Sequence, residues 1–127
     1  MVLDEEVTVL KNYVLSKSRG QTVENPIIKR VLRDSLRVSI ESMIDVCKHI
    51  VASKRLGVIR DYKDFPLKLA ERGLMDRKLA EKLSDYAKLR NVIVHRYIEV
   101  DYELLYEKAL ELVNMVSQLL GFKLKSL

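Results

Sequence analysis

The 127-residue chain is predicted to fold as a single all-α domain, residues 1–127, in an antiparallel four-helix-type bundle with an additional short helix. Three observations predict it. Apolar residues recur every three or four positions over most of the length, the spacing of a helix with one buried face. Glycine and proline number only four and two, and they fall at the ends of those apolar runs. The connections between runs are short, which favours antiparallel neighbours. With 48% hydrophobic residues the chain is long enough to bury one core, and 32% charged residues supply its surface.

Taken in order, a first helix is predicted over 4–17, with Val7, Leu10 and Val14 at helical spacing, Glu5 and Glu6 near its positive end and Arg19-Gly20 closing it. Asn25-Pro26 announces the second and longest helix, because Asn caps well and Pro suits the first helical position. It runs to about Arg55, before Gly57, and buries a face made of Ile28, Val31, Leu32, Ile40, Met43, Ile44, Cys47, Ile50 and Val51. A short helix starts at Asp61 or Asp64, tolerates Pro66 in its first turn and ends at Arg72, before Gly73. Asp76 caps a fourth helix carrying Leu79, Leu83, Tyr86, Leu89 and Ile93 and ending in the segment 90–97. Asp101 caps the last, with Leu104, Leu105, Ala109, Leu112, Val113, Val116 and Leu119 on its apolar face; Gly121 stops it before a basic tail at 123–127.

Several function classes lose support at this level. No apolar run is long enough to cross a bilayer, and the first residues, Asp4-Glu5-Glu6 among them, are acidic where a secretory signal is basic, so a cytoplasmic protein away from membranes is expected. Cys47 is the one cysteine and makes neither an internal disulfide nor a zinc site alone. The net charge of +5 mildly favours an acidic partner such as RNA, and suits a solvated surface equally well. No repeat, glycine-rich phosphate loop, zinc signature or serine nucleophile motif is present.

What remains is Arg90-Asn91-Val92-Ile93-Val94-His95-Arg96-Tyr97, a fixed cation, an imidazole and a phenol within one otherwise apolar helical stretch. An Arg holds a phosphate at any accessible pH and a His near neutrality moves a proton, the minimum equipment for phosphodiester cleavage without a metal or other cofactor. Read singly, each residue has a plainer role. Arg90 pairs with Asp85 or Glu81 on the helix surface, His95 is an ordinary C-terminal helix residue, and Tyr97 packs with a wet hydroxyl. Five residues turn a helix by about 140°, so Arg90 and His95 do not share a face, whereas Arg90 and Tyr97 lie about 20° from alignment. Upstream, Glu41, Asp45 and His49 stand four apart on one stripe. A metal site, an ion-pair ladder and a supporting role beside a cleft all fit that spacing.

The segment 89–97 resembles the HepT-like branch of the HEPN domains, helical ribonuclease toxins paired with small nucleotidyltransferases, whose signature is Arg, four residues, His, one residue, Tyr. Ile40 through His49 and Leu69 through Met75 extend the likeness, which covers roughly residues 32–120. The resemblance implies a homodimer in which two Arg90 and His95 pairs face one cleft. There a 2′-hydroxyl attacks the adjacent phosphorus, with His95 as general base or acid and Arg90 stabilising the phosphoryl oxygens. Asn91 then bonds the phosphate or orients His95, and Glu41, Asp45 and His49 support the cleft. It further implies that a partner MntA-like nucleotidyltransferase antitoxin silences the toxin by adenylylating Tyr97, whose added negative charge repels RNA. A non-catalytic subunit that holds substrate or nucleotide for a nucleotidyltransferase is the alternative, and a purely structural dimer module a third.

Overall fold

The computed structural model describes residues 2–95 and 100–126, with the side chains of Val23 and of 117–126 excepted. Among the described residues there are six α-helices and no strand: α1 (Val2–Val9), extended by a π-helical turn (Leu10–Val14), α2 (Arg19–Glu24), α3 (Pro26–Ser53), α4 (Asp64–Glu71), α5 (Arg77–His95) and α6 (Tyr102–Ser126). The chain divides into two compact units, residues 1–38 with 100–127, and residues 39–99.

In the first unit the expected helix over 4–17 is corrected in two ways. Its regular part ends at Val9, and the next turn widens to close through a 2.8 Å bond from Leu15 N–H to the Leu10 carbonyl. Leu10 and Val14 stay fully buried through the wider turn. Arg19-Gly20 does not close this helix but opens α2, because Ser18 and Gln21 form a reciprocal capping box: Ser18 Oγ accepts from Gln21 N–H at 3.2 Å and Gln21 Oε1 accepts from Ser18 N–H at 3.0 Å. Asn25 caps α3 as expected, accepting from the N–H groups of Ile27 and Ile28 at 3.0 and 3.1 Å. Asp101 does the same for Glu103 and Leu104 at the start of α6. Leu105, Ala109, Leu112, Val113 and Val116 of α6 are buried; Leu104, one step round the helix from Leu105, is 41% exposed. Tyr106 donates its hydroxyl to the Lys17 carbonyl at 2.7 Å, tying α6 to the chain after the π turn. Gly121 does not stop α6, which continues to Ser126. A helix-interior Gly costs only about 1 kcal/mol relative to Ala, and the strong helix formers around it offset that.

In the second unit, the later part of α3 buries Ile40, Ile44, Cys47 and Val51 along one stripe. The helix ends earlier than the sequence predicts, and Arg55 rather than Gly57 takes the left-handed closing position, at φ 53°. Bonds from Leu56 N–H to the Val51 carbonyl and from Arg55 N–H to the Ala52 carbonyl complete a Schellman motif. At the end of α4, Gly73 fills the equivalent place at φ 70°, with Leu74 N–H on the Leu69 carbonyl. Asp76 caps α5 through Leu79 N–H at 3.2 Å. α4 packs against α5, which buries Ala80, Leu83, Ser84, Tyr86, Ala87 and Ile93.

Candidate active site

Arg90 occupies the inner stripe of α5, one turn after the buried Tyr86 and Ala87 and one before Ile93, a place where an apolar residue would be unremarked. A guanidinium there needs partners, because burying a charge without them is costly. It has three. Arg90 Nε donates to Glu41 Oε1 of α3 at 3.0 Å, Nη1 donates to Asn91 Oδ1 at 3.1 Å, and the guanidinium carbon lies 4.6 Å from the centre of the Tyr62 ring. Arg90 and Glu41 are each about a quarter exposed, at 24% and 25%, so the pair is neither sealed in the interior nor fully solvated. The plainer surface pairing does not occur: Glu81 is taken by Arg77 at 3.1 Å and Asp85 by Lys88 at 3.6 Å.

The same ring carries a second cation, with Lys48 Nζ 5.1 Å from the Tyr62 centre and 5.5 Å from that of Phe65. The Tyr62 hydroxyl is buried and has no hydrogen-bond partner among the described residues. Burial pushes this phenol up to about 12; Arg90 opposes the rise, while Asp45, Glu41 and Cys47 add to it. Asp45 therefore acts on the cluster through its charge, from an exposed position one turn beyond Glu41.

His95 is the last residue of α5 and is exposed, near two part-exposed apolar residues, Val92 at 40% and Val94 at 38%. The helix is unbroken between Arg90 and His95, so the two side chains leave it about 140° apart. The structure thus joins Arg90, Asn91 and Glu41 by direct bonds and sets His95 on another side of the same helix. His49 is exposed on α3. Tyr97 lies outside the described residues. Among the described residues, no three His, Cys, Asp or Glu side chains group as for a metal ion, Glu41, Asp45 and His49 included. No helix among them is long and apolar enough to cross a membrane.

Tyr62, Lys48 and Phe65 are the members that sequence reasoning missed. The one sequence signal was an aromatic pair, Tyr62 and Phe65, bracketing the start of α4 among charged residues.

Comparison with known proteins places this chain in a family. The profile of the family described as Ribonuclease HepT-like matches residues 3–120. An Archaeoglobus fulgidus protein named "Putative RNase" is 38% identical over 84 residues, covering 66% of this chain and 63% of that protein. The mRNA nuclease HepT of Shewanella oneidensis is 30% identical over 77 residues, 58% of each chain. The chain spans less than two thirds of the length of either relative. Two solved structures share the all-helical fold, each matching 92% of both chains. One, a toxin-antitoxin with AMP-PNP, has a TM-score of 0.72 at 18% identity. The other, a tri-AMPylated Shewanella oneidensis HEPN toxin in complex with MNT antitoxin, has a TM-score of 0.74 at 19% identity.

Proposed function

Since the chain belongs to the ribonuclease HepT-like family, we propose that it is a metal-independent endoribonuclease, the toxin of a toxin-antitoxin pair. The observation that carries the reading is an Arg built into the inner stripe of α5 and held at its Nε and Nη1, on a helix that ends in an exposed His. An RNA 2′-hydroxyl loses its proton to a base as its oxygen attacks phosphorus; the 5′-oxygen leaves with a proton from an acid, and a cyclic phosphate remains. His95 serves as base or acid, and Arg90 stabilises the charge on the non-bridging oxygens. Asn91, bonded to Arg90, fixes the other edge of the guanidinium.

The separation of Arg90 and His95 around α5 supports a site completed by a second copy of the chain. Val92 and Val94 beside His95 are apolar surface of the kind that such a copy covers. Glu41 holds Arg90, and Asp45 and His49, exposed on α3, are assigned the supporting places beside the cleft in this proposal. Tyr97, two residues beyond His95, is the proposed acceptor of AMP from a partner nucleotidyltransferase antitoxin of the MntA type, a reading supported by the tri-AMPylated toxin among the structural relatives. AMP groups there place negative charge and bulk in the path of RNA. The 127 residues act as one domain in this proposal, in the cytoplasm, where RNA and the antitoxin meet.

Labelled RNA incubated with purified protein in EDTA tests the activity. Wild type is expected to cleave, and Arg90→Ala and His95→Ala to lose cleavage while remaining folded. Cleavage that chelation abolishes, or that survives both substitutions, contradicts the proposal.

A further inference from the structure

We propose that Tyr62 is a positioning residue for Arg90 in the cleavage reaction, acting through the face of its ring and not through its hydroxyl. The inference rests on the reading of Arg90 as the phosphate-stabilising group. A guanidinium is a flat plate on a flexible stem, and two in-plane hydrogen bonds, to Glu41 and Asn91, fix edges of the plate. They do not stop it from tilting out of plane. The ring of Tyr62, 4.6 Å from the guanidinium carbon, supplies the missing constraint, since cations are drawn to an aromatic face. Edges and face together aim Nη2 in one direction, and a stabilising group prealigned to the transition state spends no free energy on reorganisation during reaction.

The hydroxyl argues that the ring is what matters. It is buried with no hydrogen-bond partner among the described residues, an arrangement that disfavours the fold. A residue chosen for its hydroxyl would have an acceptor or donor beside it. Tyr62 also stands in the connection before α4, inside a single turn closed by Asp64 N–H on the Asp61 carbonyl at 3.0 Å. Lys48 on the same ring, and on Phe65 four positions from Asp61, draws the ring to α3. The ring thereby meets one cation from α3 and another, Arg90, from α5.

The test compares Tyr62→Phe and Tyr62→Leu with wild type and Arg90→Ala, measuring kcat and KM for a labelled RNA, with thermal melting of each protein. Tyr62→Phe is expected to keep kcat within about twofold and to melt no lower than wild type. Tyr62→Leu is expected to lower kcat about tenfold with KM little changed, the loss of one face-on cation contact felt in the transition state. A merely structural role would lower stability without that split. The Arg90 Nε–H resonance gives a second readout without activity: a sharp ring-shifted line in wild type and Tyr62→Phe, moved and broadened in Tyr62→Leu, with Tyr62→Met in its place should the Leu variant not fold. Wild-type kcat in Tyr62→Leu, equal losses in the Phe and Leu variants, or an unmoved Arg90 resonance overturns the proposal. Should wild type fail to cleave, or Arg90→Ala cleave normally, the nuclease reading falls instead, and the resonance alone decides whether Tyr62 positions Arg90.

Discussion

Replacing Glu41 with Ala removes the carboxylate that holds Arg90 Nε at 3.0 Å, and its cost follows from where the pair sits. A fully exposed ion pair contributes roughly 0.2–1 kcal/mol, while a hydrogen bond to a charged group in a protected site contributes about 1.5–3 kcal/mol. With both side chains about a quarter exposed, water screens part of the interaction and partly rehydrates the guanidinium left behind. The expected destabilisation is about 1.5 kcal/mol, a fall in melting temperature of roughly 5 °C for a chain of this size. Because Glu41 has further interactions, the pair itself is isolated by a double-mutant cycle with Arg90→Met in urea, followed by far-UV circular dichroism. The coupling expected is about 1 kcal/mol, and Glu41→Gln, which retains an acceptor for Nε, should lose about half as much as Ala. A coupling below about 0.3 kcal/mol would mean that Glu41 does not hold Arg90, and the argument for a prealigned guanidinium would lose its firmest contact.

Two left-handed positions give opposite outcomes under the same measurement. Arg55→Gly, at φ 53°, should raise stability by about 0.5–1 kcal/mol, whereas Gly73→Ala, at φ 70°, should lower it by about 1 kcal/mol. Equal signs would refute the Schellman assignment at one of the two helix ends. Alkaline pH should weaken the fold in two steps. Burial pushes Cys47 up from 9.0 to about 11 and Tyr62 from 10.0 to about 12, so both are neutral in the native state at pH values where the unfolded chain has already released its protons. The stability they confer is whole below pH 9 and is lost as pH rises through 11 and 12. Urea midpoints measured along that range should fall, and Cys47→Ala should remove the part of the fall that begins near 9; a Cys47→Ala profile that superimposes on wild type would contradict the assignment.

Features governed by neighbours in sequence were legible, and features governed by tertiary contact were not. The caps at Asn25, Asp76 and Asp101 and the stop at Gly73 each depend on bonds spanning a few residues, and each stands where the sequence places it. Of the face that the apolar period assigned to α3, Leu32, Ile40, Ile44, Cys47 and Val51 are buried, while Ile28, Val31, Met43 and Ile50 are half-buried. Ser18-Arg19-Gly20-Gln21 carried a capping-box pattern that the glycine within it obscured, and Arg55 gave no hint of a left-handed backbone, because Arg has no preference for it. At the candidate site, Arg90, Asn91 and His95 were visible as polar residues in an apolar run. The bond from Arg90 to Glu41 crosses 49 residues, and the ring of Tyr62 reaches Arg90 from the connection ahead of α4, so neither leaves a local trace.

Identifying the ends of the cleaved RNA puts the central claim under the sharpest strain. Mass spectrometry of products formed in EDTA should find 2′,3′-cyclic phosphate on one fragment and a 5′-hydroxyl on the other, both absent with Arg90→Ala and His95→Ala. A 5′-phosphate with a 3′-hydroxyl would mean that water and not the 2′-hydroxyl attacks, and the roles assigned to Arg90 and His95 would have to be given up.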